Sequence, residues 1–126
     1  MTILVRCSDP RIQKYLEEVG IGGKTGALKD HAVIANTGSI KYFMAKNQME
    51  DFYGQLDILI PHFHAEKIVL LNHTDCGFYK KLGQDTEENY LKDLREVKEL
   101  LLQKYPEVAV EGYLLDTETG NLKEIE

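Results

Sequence analysis

Four short apolar segments, with helical segments between them, most constrain the fold of this chain. They are rich in β-branched and aliphatic residues, and they span residues 2–6, 32–35, 67–72 and 108–115. Such runs are typical of buried strands. Strands that alternate with helices predict a parallel sheet, because each helix returns the chain across a face of the sheet to begin the next strand. We therefore expect an α/β fold with a mostly parallel sheet of four to five strands flanked by helices.

The segments between the strands carry helix signals. The predicted helices span residues 10–19, 47–63 and 87–104. Asp9 followed by Pro10 is typical of a helix start, since an acidic cap precedes proline at the first helical position. Pro61 is expected to kink or end the second helix. Residues 39–46 are ambiguous between helix and loop, the glycines within residues 20–26 indicate a flexible loop, and residues 121–125 are expected to add a short edge strand.

Composition limits the classes of partner. The 126 residues predict one domain, residues 1–126, and the net charge of −6 comes without a basic stripe, so we expect no nucleic-acid partner. No apolar run approaches the ~20 residues of a membrane span. No signal peptide is visible, so a cytoplasmic protein is expected. In a reducing compartment, the two cysteines are expected to be thiols or metal ligands rather than a disulfide.

Polar residues follow two of the predicted strands. Cys7 ends the first strand, and His73 and Cys76 follow the third. Because sites in such sheets form beyond the carboxyl ends of the strands, these side chains converge if the two strands are neighbours. Two thiolates and an imidazole suit zinc and leave a fourth position open. Asp9 either fills that position or accepts a hydrogen bond from zinc-bound water, and Arg11 holds the Asp9 carboxylate.

The same residues have simpler interpretations. The cysteines are compatible with buried thiols, or with a disulfide if metal is lost. Asp9 is compatible with a helix cap, Arg11 with a surface residue, and Asp75 with a turn or cap. Three further histidines have no spacing that ties them to the cysteines, and we expect them to lie outside the site: His31, His62 and His64.

Two motifs carry a resemblance to a known family. Residues 7–11, Cys-Ser-Asp-Pro-Arg, resemble the first zinc motif of the β-class carbonic anhydrases. Residues 73–77, His-Thr-Asp-Cys-Gly, resemble the second. Residues 30–38 resemble the family's second strand and the turn after it, and residues 112–122 resemble its final strands, all in the right order. Three positions depart from that pattern: Pro10 for serine, Ala35 for arginine and Asn72 for glycine.

The resemblance implies a function. By it, Cys7, His73 and Cys76 bind Zn²⁺, which lowers the pKa of bound water so that hydroxide attacks carbon dioxide to give bicarbonate. Asp9 and Arg11 are the implied catalytic pair, with Asp9 as an alternative fourth ligand. The resemblance also implies a homodimer or higher homo-oligomer. The alternatives are hydrolysis of carbonyl sulfide or carbon disulfide at the same site, and a zinc-binding protein without catalytic activity.

Overall fold

The computed structural model of the protein describes residues 1–18 and 30–126. Its strands are β1 (Thr2–Cys7), β2 (His31–Asn36), β3 (Lys67–His73), β4 (Ala109–Leu115) and β5 (Leu122–Glu124). Its helices are α1 (Pro10–Glu18), α2 (Ile40–Ala45), α3 (Met49–Phe63), α4 (Gly77–Lys81) and α5 (Glu87–Lys104). The expected alternation of strands and helices is confirmed, and the expected glycine loop at residues 20–26 lies outside the described residues.

The five strands form one sheet in the order β2-β1-β3-β4-β5. The first four are parallel, and β5 pairs with β4 in the antiparallel sense. Thr2 pairs with Lys67 at the start of β1 and β3, so these neighbours run in register toward the same edge of the sheet. That register places Cys7, at the end of β1, on the same edge as His73, at the end of β3. The predicted mostly parallel sheet is confirmed.

Both faces of the central strands are buried. Consecutive residues of a strand point to opposite faces, and residues 3–7 of β1 and 68–73 of β3 are all buried. Helix α5 covers β3 and β4. One face of α5 is apolar and packs into the core, since Leu94, Val97 and Leu101 are fully buried. Burial of this kind contributes roughly 1.5–3 kcal/mol for each large aliphatic side chain.

Two helices differ from the sequence prediction. Helix α4 was not predicted, because five residues are too few to show a helical period. Helix α3 contains Pro61 and continues to Phe63, where His64 in the left-handed conformation (φ 50°) ends it. Proline has no backbone N–H, so Pro61 removes one hydrogen bond from the last turn of α3. The helix continues for two residues beyond Pro61 and then ends. Two apolar side chains of α3, Phe52 and Leu56, are fully buried, whereas a third, Phe63, is 38% exposed.

No helix within the described ranges is both long and apolar enough to cross a membrane.

Candidate metal centre

Three side chains meet at the carboxyl edge of the sheet. The ligand atoms of Cys7, His73 and Cys76 all lie within 4.8 Å of one another. All three residues are buried, with His73 only 1% exposed. In residues 1–18 and 30–126, no other group of three or more potential ligand side chains comes together in this way. The convergence predicted from the sequence is therefore observed, and the parallel register of β1 and β3 explains it.

The ring of His73 is oriented as a metal ligand requires. Its Nδ1 lies 2.7 Å from the Thr74 carbonyl oxygen, which can only accept, so in the neutral ring Nδ1 carries the proton. The lone pair is then on Nε2, which is buried and has no hydrogen-bond partner within the described part of the chain. A buried nitrogen without a partner is costly unless it binds something else. Together with two thiols, this nitrogen fits zinc.

The environment of Cys7 favours the thiolate. The Gly38 N–H donates to Cys7 Sγ at 3.3 Å. The pKa of the Cys7 thiol is lowered, first by a hydrogen bond from Cys76 and then by contacts with His73 and Gly38 that outweigh the opposing effect of burial. The pKa of Cys76 is raised, first because Cys7 takes the charge and then because of burial. Of the two sulfurs, Cys7 is therefore the one that favours the negative charge, and a divalent cation bound by both would favour loss of the Cys76 proton.

Gly38 makes this contact because its backbone is unusual. Its φ is +86°, a conformation that favours glycine. A Cβ at this position would lie 2.6 Å from the Phe78 ring. The next residue, Ser39, also has positive φ (55°), and its buried hydroxyl has no partner among the described residues. The turn that follows β2 thus delivers a backbone donor to Cys7.

Asp9 and Arg11 form a multiply hydrogen-bonded pair beside the cysteines. Arg11 Nε donates to Asp9 Oδ1 at 3.1 Å, and Nη2 donates to Oδ2 at 2.7 Å. The pKa of Asp9 is lowered, first by the Arg11 side chain. Asp9 Oδ2 is 3.8 Å from His73 Nε2, so the carboxylate adjoins the ligand cluster. Asp9 also accepts the backbone N–H of Arg11 at 2.8 Å, so the capping role and the pairing role coexist.

Asp75 has contacts that the sequence did not predict. It occupies a left-handed turn with φ 58°, which agrees with the predicted turn role. Its carboxylate, however, accepts from Arg11 Nη1 at 2.9 Å, and it also pairs with Lys80. Arg11 Nη2 further donates to the Asp75 carbonyl at 3.0 Å. The spacing from Asp75 to Lys80 crosses the start of α4, so no helical periodicity signals the pair.

A second set of polar side chains lies beneath the cluster. Asn72, the residue that replaces the usual glycine, is buried, and its amide donates to the Tyr79 hydroxyl and to the Tyr90 carbonyl, both at 3.2 Å. The Tyr79 hydroxyl donates to Asp93 at 2.7 Å, and Lys41 pairs with the same carboxylate at 2.9 Å. Burial raises the pKa of Tyr79, so its hydroxyl remains the donor. The sequence does not reveal this network, because its members come from four separate helices and strands.

The Tyr90 hydroxyl extends these contacts to the loop that contains the second cysteine. It accepts the Cys76 N–H at 3.1 Å and donates to Asp85 at 2.5 Å. Burial, then the bond to Asp85, raises the pKa of Tyr90, which keeps the hydroxyl protonated. The loop between β3 and α4 is thus bonded from α5 on one side and from Arg11 on the other.

An open cavity of about 490 Å³ adjoins the centre. Arg11, Thr74 and Tyr90 line it, but none of the three clustered side chains does. Five acidic residues also line it: Asp75, Asp85, Glu87, Asp116 and Glu118. The cavity is therefore polar, and it approaches the cluster from the Arg11 side.

The remaining histidines lie elsewhere. His62 and His64 are exposed at the carboxyl end of α3, and His31 begins β2. None of them belongs to the buried cluster, as the sequence predicted. Of the other two departures from the family pattern, Pro10 is the first residue of α1 and Ala35 is exposed on β2. Neither supplies a side chain to the cluster.

Solved structures of similar fold include several carbonic anhydrases. No protein-family model matches the sequence, and no curated protein matches it. The carbonic anhydrase of Streptococcus mutans is 22% identical with a TM-score of 0.64, covering 99% of this chain and 81% of that one. The β-carbonic anhydrase isoform I of Trichomonas vaginalis is 15% identical with a TM-score of 0.64, covering 98% and 81%. A tetrameric β-carbonic anhydrase of Sordaria macrospora is 16% identical with a TM-score of 0.60, covering 98% and 79%.

Proposed function

We propose that this chain, which has the β-carbonic anhydrase fold, binds one Zn²⁺ through Cys7, His73 and Cys76 and catalyses the reversible hydration of carbon dioxide to bicarbonate. One observation carries the proposal. The three ligand atoms lie within 4.8 Å of one another in a buried position, and the Asp9–Arg11 pair adjoins them. Two thiolates and an imidazole complete three zinc positions and leave the fourth open, as in catalytic zinc sites.

A zinc ion held there supplies a Lewis acid that makes water acidic enough to serve as the nucleophile. The protein supplies the geometry. Thr74 fixes the His73 ring so that Nε2 faces the other two ligands. Gly38 donates to Cys7 and stabilises its negative charge.

Asp9 and Arg11 orient the reacting groups in this proposal. The Asp9 carboxylate accepts a hydrogen bond from the nucleophilic water and directs its lone pair toward carbon dioxide. Arg11 holds that carboxylate through several hydrogen bonds, and its own position is fixed by Asp75. Because Asp9 Oδ2 is 3.8 Å from His73 Nε2, a small movement would instead make Asp9 the fourth ligand. Arg11 opposes that movement by retaining the carboxylate.

We also propose that the protein assembles as a homodimer or a higher homo-oligomer. Strand β2 lies at one edge of the sheet, and its Val33 is 46% exposed. An exposed edge strand with an apolar side chain is a surface that proteins usually cover. A tetrameric relative in fold, from Sordaria macrospora, supports assembly. A cytoplasmic location remains a prediction from the sequence.

The test combines metal analysis with turnover. We expect one zinc per chain in protein purified under reducing conditions, and carbon dioxide hydration measured by stopped flow. The variant His73→Ala should lower zinc affinity more than about 100-fold, because it removes a direct ligand. The matched control is His64→Ala, an exposed histidine outside the cluster, which should bind zinc like the parent.

The same preparations separate the alternatives. A chain that binds no zinc would refute the proposed centre. Full zinc with turnover of carbonyl sulfide or carbon disulfide, but not of carbon dioxide, would identify the sulfur substrate. Full zinc with no turnover of any of these gases would identify a zinc-binding protein without catalytic activity.

A further inference from the structure

A single peptide group next to the proposed metal is held at both of its ends. Arg11 Nη2 donates to the Asp75 carbonyl at 3.0 Å, and the Cys76 N–H of the same peptide donates to the Tyr90 hydroxyl at 3.1 Å. In a planar trans peptide, the carbonyl and the N–H point in opposite directions. The two bonds therefore come from opposite sides and fix the orientation of the peptide plane.

The backbone conformation of Asp75 makes this peptide plane liable to rotate. Asp75 has φ 58°, in the left-handed region that is unfavourable for residues other than glycine, although aspartate tolerates it better than most. Relaxation of this φ requires rotation about the Asp75 N–Cα bond, and because β3 holds the chain on the other side, that rotation would swing the Asp75–Cys76 peptide. That rotation would move the Cys76 backbone and, with it, the sulfur. No residue lies between Asp75 and Cys76, so the displacement would reach the ligand directly. Cys76 in turn immediately precedes α4.

Tyr90 is placed to resist the rotation. It is only 1% exposed, and its ring lies 4.3 Å, centroid to centroid, from that of Tyr79. Its hydroxyl has one proton, which it donates to Asp85 Oδ1 at 2.5 Å. The Cys76 N–H can only donate, so the hydroxyl accepts from it, and the carboxylate of Asp85 fixes where the hydroxyl proton points. Asp85 itself is exposed on the wall of the acidic cavity.

The backbone of Tyr90 is tied to the residue before the other ligand. Asn72 Nδ2 donates to the Tyr90 carbonyl at 3.2 Å, and Asn72 immediately precedes His73. The start of α5 is therefore bonded to both ends of the segment from β3 to α4. Any shift of Tyr90 would be transmitted to both His73 and Cys76.

We propose that Tyr90 and Asp85 are positioning residues which, opposite Arg11, hold the Asp75–Cys76 peptide so that the Cys76 sulfur stays on the metal. Arg11 then has two functions, since it holds the Asp9 carboxylate and one end of this peptide. The inference rests on the proposed zinc ligands, but it concerns retention of the metal and requires no turnover.

The test measures zinc release from the loaded, full-length protein. Zinc transfer to the chromophoric chelator 4-(2-pyridylazo)resorcinol is timed for the parent and for Tyr90→Phe, which keeps the ring and removes the hydroxyl. We expect release to be about 10- to 100-fold faster, the usual effect of removing a group that supports a metal ligand. Asp85→Asn, at an exposed position, should accelerate release less. In Co²⁺-loaded protein, the thiolate-to-cobalt absorption band should shift in Tyr90→Phe.

A matched control separates positioning from general stability. Tyr105→Phe also removes a hydroxyl that donates to a carboxylate, Asp57 at 2.7 Å, but far from the centre. It should keep both the parent's cobalt spectrum and its release rate.

Three results would overturn the inference. One is parental zinc release and an unchanged cobalt band in Tyr90→Phe. Another is equal acceleration in Tyr90→Phe and Tyr105→Phe, which would indicate general loosening. The third is a parent that binds no zinc, which would also refute the proposed centre. If Tyr90→Phe does not fold, Asp85→Asn decides by the same two measurements. A parent that binds zinc but hydrates no carbon dioxide would refute only the catalytic proposal.

Discussion

At the scale of single residues, Arg11 contacts more groups of the centre than the Asp9 carboxylate, which is the one partner that the family resemblance implies for it. Its guanidinium contacts the carboxylates of Asp9 and Asp75 and the Asp75 carbonyl. Its side chain is 45% exposed, so each ion pair alone contributes little to stability. The consequence of these contacts is geometric, because several bonds to one planar group restrict where the Asp9 carboxylate can point.

Replacement of Arg11 should separate metal binding from turnover. In Arg11→Ala, one zinc per chain should remain, because three ligands are intact and the released Asp9 becomes free to join them. Hydration should fall roughly 10- to 100-fold, in the range usual for residues that support a metal ligand. Zinc content and hydration rate are measured together, with the exposed Arg95→Ala as the matched control. A variant with both the parent's zinc and the parent's rate would show that the pair has no such role.

The pH dependence of hydration follows from the ligand charges. Two thiolates neutralise the formal charge of Zn²⁺, so water at this centre should be less acidic than at a three-histidine zinc, where its pKa is about 7. Activity of the parent should therefore rise from neutral to alkaline pH. Stopped-flow rates across this range test the expectation, and a rate that is maximal at neutral pH would contradict it.

Asp9 should also make stability depend on pH in acid. Its pKa is lowered in the folded protein, first by Arg11. A lowered pKa means that the stabilisation is present above the unfolded pKa of about 3.9 and is lost as pH falls through the folded value. Asp9→Asn keeps an acceptor for the Arg11 backbone N–H but lacks the charge. In metal-free, reduced protein, urea unfolding should find the parent more stable near neutral pH and the two equal at the acid end; a constant difference would contradict this.

At the scale of elements, helices α2 and α5 are joined by a buried ion pair. The pattern of apolar residues along the two helices gives no sign of this pair. Lys41 and Asp93 side chains are only 11% and 6% exposed, and Tyr79 donates to the same carboxylate. Lys41 Nζ also lies 5.5 Å from the centroid of the Tyr79 ring. Buried charges of this kind are tolerated only when paired, so each member depends on the other.

Removal of one partner should therefore be costly. Asp93→Ala leaves the Lys41 ammonium buried and should lower the free energy of unfolding by about 3–5 kcal/mol. The double variant Lys41→Met with Asp93→Leu should lose far less, because neither charge remains. Urea unfolding at fixed zinc concentration measures both, and Lys123→Ala, whose pair with Glu87 is exposed, should change stability by less than about 1 kcal/mol. Equal losses in the single and double variants would contradict the expectation.

For the whole molecule, the exposed edge of the sheet bears on assembly. We expect light scattering to find a homodimer or a larger homo-oligomer. Val33→Lys, on β2, should weaken association about 10-fold or more, because it places a charge on an apolar edge. The control Gln55→Lys places the same charge at an exposed polar position on α3 and should leave association unchanged. A monomer at working concentrations would refute the proposed assembly.

The sequence predicted those parts of the molecule that depend on periodic patterns. The predicted bounds of α5 match the structure, because a long amphipathic helix has both a clear period and a clear stop at Tyr105-Pro106. The meeting of Cys7 with His73 was predicted on the condition that the first and third strands are neighbours, and the strand order meets that condition. Helix α4 was not predicted, because five residues are too few to show a helical period. The Asp75 contacts and the role of the Tyr90 hydroxyl were not predicted either, since they depend on side chains brought together only by packing. Such contacts leave no periodic trace in one sequence.

The distance along the chain between Cys7 and its two partners has a consequence for biosynthesis. β1 lies between β2 and β3 in the sheet, so its pairing is complete only when both neighbours have been made. At translation rates of about 5–20 residues per second, Cys7 emerges on the order of several seconds before His73 and Cys76. During that interval the thiol has no fixed partner and is open to oxidation. Loading of a metal and closure of the sheet would then be one event, and a newly made chain would depend on cellular reductants until it occurs.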